Sequence, residues 1–151
     1  MKRLWAPWRM EYIEVANKNT GCIFCERKQY VLKEGKYVFA MLNLFPYNPG
    51  HIMVAPKRHI KEPEELNREE VKELFEFINL SVKALKEEAN PDGFNIGLNI
   101  GKVAGAGFEG HLHLHIVPRW NGDTNFMPVI GDVRVVPEGI DKTFEKLKKY
   151  F

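Results

Sequence analysis

The strongest helical pattern runs through Val71, Leu74, Phe75, Ile78, Val82 and Leu85, which recur at three- and four-residue spacing among Lys- and Glu-rich positions. Asn67 followed by Glu70 is a helix start, and the Asn-Pro-Asp-Gly run at 90–93 is a stop. The charged positions read as a solvated face with no function assigned. Residues 36–43 (KYVFAMLN) are rich in β-formers. A turn follows at Pro46, Asn48, Pro49 and Gly50, and residues 51–56 (HIMVAP) read as an antiparallel neighbour. Residues 94–99 are strand-like, 100–110 form a glycine-rich loop, a strand begins at His111, and a further strand lies near 132–137. A short C-terminal helix ends at Phe151. Pro7 and the turn-forming residues 17–21 make the first 21 residues an irregular arm, whose Trp5 and Trp8 cover core or a subunit surface. The expected fold is α+β: a mostly antiparallel sheet, one long helix and one short C-terminal helix.

The segment EGHLHLHIVPRW, residues 109–120, changes the picture from fold to chemistry. In an extended segment His111, His113 and His115 share one face, while Leu112, Leu114 and Ile116 share the other. Successive imidazoles then stand roughly 6.6 Å apart, which suits an extended anion such as a phosphate chain better than one metal gripped by all three. The alternative is that the rings only hydrogen-bond across a sheet. Against it, the two remaining histidines, His51 and His59, flank a predicted neighbouring strand, so all five can converge. A neutral imidazole is a competent nucleophile near pH 7, and His113, the middle ring, is best placed. Its tautomer needs an acceptor at the other nitrogen, which a backbone carbonyl or a group such as His51 supplies. Gly105 and Gly107 offer unobstructed N–H groups to phosphate oxygens. Pro118 is expected to close the strand, Arg119 to reach toward phosphate, and Trp120 to sit at a substrate or dimer rim.

Length and composition narrow the remaining classes. A chain of 151 residues makes one domain, with an arm at 1–21, a catalytic core at 22–137 and a C-terminal helix at 138–151. A net charge of +2 gives no bulk electrostatic case for nucleic acid. No apolar run approaches a membrane span, and no apolar stretch behind the basic start reads as a secretory signal, so neither membrane nor secretion is expected. The two cysteines, Cys22 and Cys25, fit a reducing cytoplasm. Alone they are half of a tetrahedral zinc site, a redox pair, or two buried thiols.

HLHLHIV (111–117) resembles the signature of the histidine triad (HIT) family at every position, and the likeness extends to NLFPYNPGHIMVAPKRH (43–59) and NIG (99–101). LWAPWR, CIFC and HIVPRWNGDTNF are similar to the branch related to diadenosine tetraphosphate phosphorylases and hydrolases. The resemblance implies a HIT-like fold with a five-stranded sheet, a homodimer whose sheets join, and binding of a purine nucleotide or dinucleoside polyphosphate. The implied reaction is cleavage through a nucleotidyl-histidine, with His113 as nucleophile and His115 as phosphate ligand. It also implies that Asn43 holds the ribose, that Asn99 lies near the scissile phosphate, and that Ile23, Phe24, Met41 and Leu44 line the base pocket. A zinc-holding subset implies Cys22, Cys25, His59 and His111 as ligands of a structural Zn2+, which makes His111 structural and leaves His113 and His115 to the substrate. The chain departs from the family in the loop before the triad, where Glu109 and backbone amides replace the usual Gln-Ser or Gln-Thr. A nucleotide-binding adaptor with little catalysis is the alternative from another class, and a zinc-dependent nucleic-acid module ranks last.

Overall fold

The structure is a computed structural model that describes residues 21–106, 110–125, 130 and 135–151. Its centre is a five-stranded sheet in the order β1-β2-β3-β5-β4, with β1 at Val31–Glu34, β2 at Val38–Leu42, β3 at Ile52–Pro56, β4 at Gly93–Leu98 and β5 at Leu114–Arg119. Every neighbouring pair is antiparallel. Among the described residues three α-helices accompany it: α1 (Ile23–Glu26), α2 (Arg68–Ala89) and α3 (Ile140–Lys148). Helices α2 and α3 cover one face, over Leu32, Val38, Ala40, Leu42, Ile52, Val54, Leu114 and Ile116. On the other face Phe39, Met41, Met53 and Ala55 pack against Phe24 of α1. Because both faces are covered, β2 and β3 are buried at every position and read as continuous apolar runs.

Helix α2 starts where the sequence places it. Asn67 Oδ1 accepts from the Glu70 N–H, and the Glu70 carboxylate accepts from the Asn67 N–H. Both Glu70 oxygens also take hydrogen bonds from Arg58, whose guanidinium holds this buried carboxyl below the usual range. The buried stripe, however, is Glu70, Leu74, Phe77, Ile78, Ser81, Ala84 and Leu85. Val71 and Phe75, expected on the buried face, are 41% and 61% exposed. At about 100° per residue they lie on an adjacent flank, and Ser81 and Ala84, which let the helix approach the sheet, mask the true stripe from an apolar count.

The strand inventory also shifts. The fifth strand is β1, which the sequence analysis did not name; residues 132–134 lie outside the described residues, and 135–137 belong to no strand. β1 has four residues, two of them charged, at the sheet edge, so it carries little apolar pattern. β5 begins at Leu114, three residues after the expected start at His111, and it continues through Pro118, opposite Phe94, to Arg119. Residues 1–20, with Trp5 and Trp8, and Gly107 lie outside the described residues. Among those described, no helix is long and apolar enough to cross a membrane.

Two contacts fix the strand connections. Gly50 has φ +82°, and a Cβ there would lie 2.8 Å from Leu85 Cδ2, so the turn that delivers His51 requires glycine. Glu73 of α2 accepts from the backbone N–H groups of Lys36, Tyr37 and Val38 at the start of β2. Burial would raise its pKa, but these three donors hold it below the ordinary carboxylate value. Replacing Glu73 by Ala strands the three donors and should lower unfolding free energy by about 2 kcal/mol, with Gln costing less. Denaturation midpoints check this, and a Glu73→Ala midpoint equal to the parent's would contradict it.

Candidate active site

Five histidines meet on the face of the sheet that carries Met41 and Met53, and register places His115 directly opposite Met53. Hydrogen-bond chemistry fixes the tautomers of four of them. The Tyr47 backbone N–H donates to Nδ1 of His51 at 3.1 Å, so that nitrogen carries no proton and Nε2 does. Nε2–H of His51 donates to Nδ1 of His115 at 2.9 Å. His115 therefore also carries its proton on Nε2, a buried atom with no partner among the described residues. Burial, then the neighbouring His113, pushes the His115 pKa down to about 4, so the ring stays neutral. A cavity of about 430 Å³ opens beside it, lined among others by Tyr47, Asn95, Gly97, Asn99 and Val117.

His113 has the opposite tautomer. Its Nδ1 lies 2.8 Å from the carbonyl oxygen of His111, which can only accept, so Nδ1 holds the proton and Nε2 the lone pair. Burial lowers its pKa and keeps that lone pair unprotonated at neutral pH. The Phe24 ring stacks on it, centroids 4.6 Å apart at 26°, and the His115 ring meets it edge-on at 4.9 Å and 72°. His51, one of the two expected supports for His113, serves His115 instead, and the carbonyl, the other, serves His113.

The row of three rings divides at His111, whose Nε2–H donates to the Pro56 carbonyl at 2.8 Å. Its Nδ1 lone pair faces Cys22 Sγ at 3.3 Å and Cys25 Sγ at 3.6 Å, and His59 Nδ1 lies 3.3 Å from Cys25 Sγ. The four ligand atoms all fall within 4.8 Å of one another. A tetrahedral zinc with N at about 2.0 Å and S at about 2.3 Å separates its ligands by roughly 3.3 to 3.8 Å, which the three N–S contacts of 3.3, 3.3 and 3.6 Å match, so this donor set suits that ion.

The other expected residues are distributed around this centre. Asn43 is half-buried; its Oδ1 accepts from the Phe45 N–H, and its Nδ2 lies 3.4 Å from His51 Nδ1. Asn99 Nδ2 lies 3.4 Å from the Gly105 carbonyl, where φ is +91°. Ile23 and Leu44 are half-buried, whereas Phe24 and Met41 are 1% and 4% exposed. Arg119, expected to reach phosphate, is held by Asp123 through two hydrogen bonds of 2.6 and 2.8 Å, and Trp120 Nε1 donates to the Ala89 carbonyl. Tyr47 went unnoticed in the sequence, yet its amide sets the tautomer chain and its ring packs 4.7 Å from His51. Its place four residues before His51 in a Pro-Asn-Pro-Gly turn was the available signal.

The His115 tautomer has a stability consequence. Between pH 6.5 and about 4 the unfolded chain takes up a proton at this ring that the folded chain refuses. Its contribution is therefore complete above pH 6.5 and is lost as pH falls toward 4. In His115→Gln the melting temperature should fall less steeply across that window, and a slope equal to the parent's would contradict the assignment.

Known proteins resemble the chain in sequence and in fold. The chain is 42% identical over 152 aligned positions to a protein named AP-4-A phosphorylase from Mycobacterium tuberculosis, covering 91% of this chain and 78% of that one. It is 38% identical over 81 positions to a bis(5'-adenosyl)-triphosphatase from Dictyostelium discoideum, covering 54% of each. The crystal structure of a Zn-bound histidine triad family protein from Mycobacterium smegmatis superposes with a TM-score of 0.69 at 27% identity, covering 86% of this chain and 92% of that one. The HIT domain family matches residues 25–122, and the protein is therefore a member of that family.

Proposed function

We propose that the protein cleaves dinucleoside polyphosphates such as diadenosine tetraphosphate, or related nucleoside phosphates, by way of a nucleotide bound covalently to Nε2 of His113. The observation that carries this reading is the opposed presentation of two adjacent rings: a lone pair at Nε2 of His113 and an N–H at Nε2 of His115. The first is a nucleophile and the second a donor to a phosphoryl oxygen. The lone pair of His113 forms a P–N bond as the bridging P–O bond breaks, and the remainder of the substrate leaves with that electron pair. The nucleotidylated ring is cationic, and the His111 carbonyl, still accepting from Nδ1–H, stabilises it. Attack by inorganic phosphate or water then releases the nucleotide and restores the lone pair, and a water nucleophile yields its proton to solvent. The names of the relatives from M. tuberculosis and D. discoideum support phosphate and water, respectively, as acceptor. In this reading Asn43, Ile23, Phe24, Met41 and Leu44 serve the nucleoside, while Asn99 and Gly105 serve the phosphates.

Cys22, Cys25, His59 and His111 hold a structural zinc, whose chemistry is to tie the N-terminal segment to the sheet. Two cysteines outside any disulfide suit a cytoplasmic setting. The working form is a homodimer. Glu73 of α2 contacts the β1–β2 connection and Glu88 contacts Lys149 and Tyr150 after α3, so in this reading the opposite helical flank, with Val71 and Phe75, looks toward β4. There Ile96, 45% exposed on the helix-covered face of an edge strand, extends the same apolar surface. A second copy pairing along β4 covers both features.

Incubation with diadenosine tetraphosphate separates the acceptors, with ADP the released nucleotide under phosphate and AMP under water. His113→Ala should lose at least about 10³-fold in turnover while keeping its circular dichroism spectrum, and an active variant would sink the covalent mechanism. Phe75→Glu combined with Ile96→Glu should sediment as a monomer, whereas a parent that is itself monomeric would refute the dimer.

A further inference from the structure

The segment that carries the cysteine pair also carries the ring that touches the nucleophile. Phe24 stands between Cys22 and Cys25, is 1% exposed, and stacks on His113. It also packs 5.3 Å from the His111 ring. A helix of four residues has no stability of its own, so the placement of α1 depends on what fastens it to the sheet. Cys22 caps that helix and Cys25 lies within it, and both point their sulfurs at His111. A second connection runs through the backbone: the His111 side chain belongs to the ligand cluster, and its carbonyl fixes Nδ1–H of His113. One ring stack and one hydrogen bond thus lead from the same four ligands to the same imidazole. The hydrogen bond alone sets the tautomer but leaves the ring free to tilt about it. Tilt is limited by the Phe24 face and by the His115 edge.

We infer that Phe24 is a positioning residue for His113, and that the Cys22-Cys25-His59-His111 cluster and that imidazole form one coupled unit. Filling the cluster fixes α1 and the His111 backbone together, and these hold the ring in the plane that attack requires. Misplacement of a reacting group by about 1 Å can cost about 10²-fold in rate, so the stack matters even though Phe24 takes no part in bond making. This rests on the reading of His113 as the nucleophile.

The test uses the zinc-loaded full chain and its Phe24→Ala, Phe24→Leu and Phe24→Tyr variants, with zinc content confirmed for each. Two readouts are taken: the proton resonances of the His113 ring, which a stacked aromatic shifts upfield, and the single-turnover rate of nucleotidyl-enzyme formation from diadenosine tetraphosphate. Withdrawing zinc with a chelator should remove the upfield shift, and Phe24→Ala should remove it with zinc still bound. At saturating substrate Phe24→Ala and Phe24→Leu should slow formation of the covalent species about 10- to 100-fold, and Phe24→Tyr should restore it. Leu keeps most of the bulk without a ring face, so it decides the matter should Ala fail to fold. His113 resonances indifferent to zinc, or a Leu variant as fast as Tyr, would overturn the inference. A wild-type protein that forms no covalent species would defeat the proposed function instead, while the ring resonances would still judge the coupling.

Discussion

The hydrogen bond from Nδ1–H of His113 to the carbonyl of His111 determines what the site can do, because it places the lone pair of His113 on Nε2. Neutral imidazole has one proton to distribute between two nitrogens, and a carbonyl can only accept. Without this contact nothing would keep the proton off the reactive nitrogen. The contact depends in turn on the backbone just before β5, where the Leu112 N–H is anchored to the Ile60 carbonyl at 2.7 Å. Alternation along this segment sends Leu112 and Leu114 into buried positions and keeps His113 and His115 together on the opposite face.

The same proton accounting runs in the other direction two residues on. The Tyr47 amide, His51 and His115 form a chain of donors that ends in an N–H with no acceptor among the described residues. Two rings of the same residue type, side by side on one strand approach, thereby acquire complementary roles from backbone groups on different elements. Burial reinforces both assignments, since desolvation disfavours the imidazolium at His113 and at His115 alike.

Much of this was legible in the sequence where a pattern is local. Asn67 and Glu70 announce the helix start, apolar runs mark β2 and β3, and the spacing of the histidines marks the site. The likeness to the histidine triad family grouped Cys22, Cys25, His59 and His111, which the fold brings within 4.8 Å of one another. What escaped was set by tertiary contact. The phase of α2 followed small residues such as Ser81 and Ala84 rather than Val71 and Phe75. β1 owes its pairing to β2 and the cover of α3 rather than to its own sequence, VLKE. Arg119 pairs with Asp123 four residues away, a contact set by the turn after β5, while its side chain still lines the cavity beside His115. No pattern in sequence says which nitrogen of a histidine meets which backbone group.

The central claim is one of proton placement, and imidazole nitrogen chemical shifts report that directly. In protein carrying 15N-labelled histidine near pH 7, His113 should show a protonated Nδ1 and an unprotonated Nε2, and His115 the reverse. Finding both rings in the same tautomer, or His113 as an imidazolium, would contradict the account.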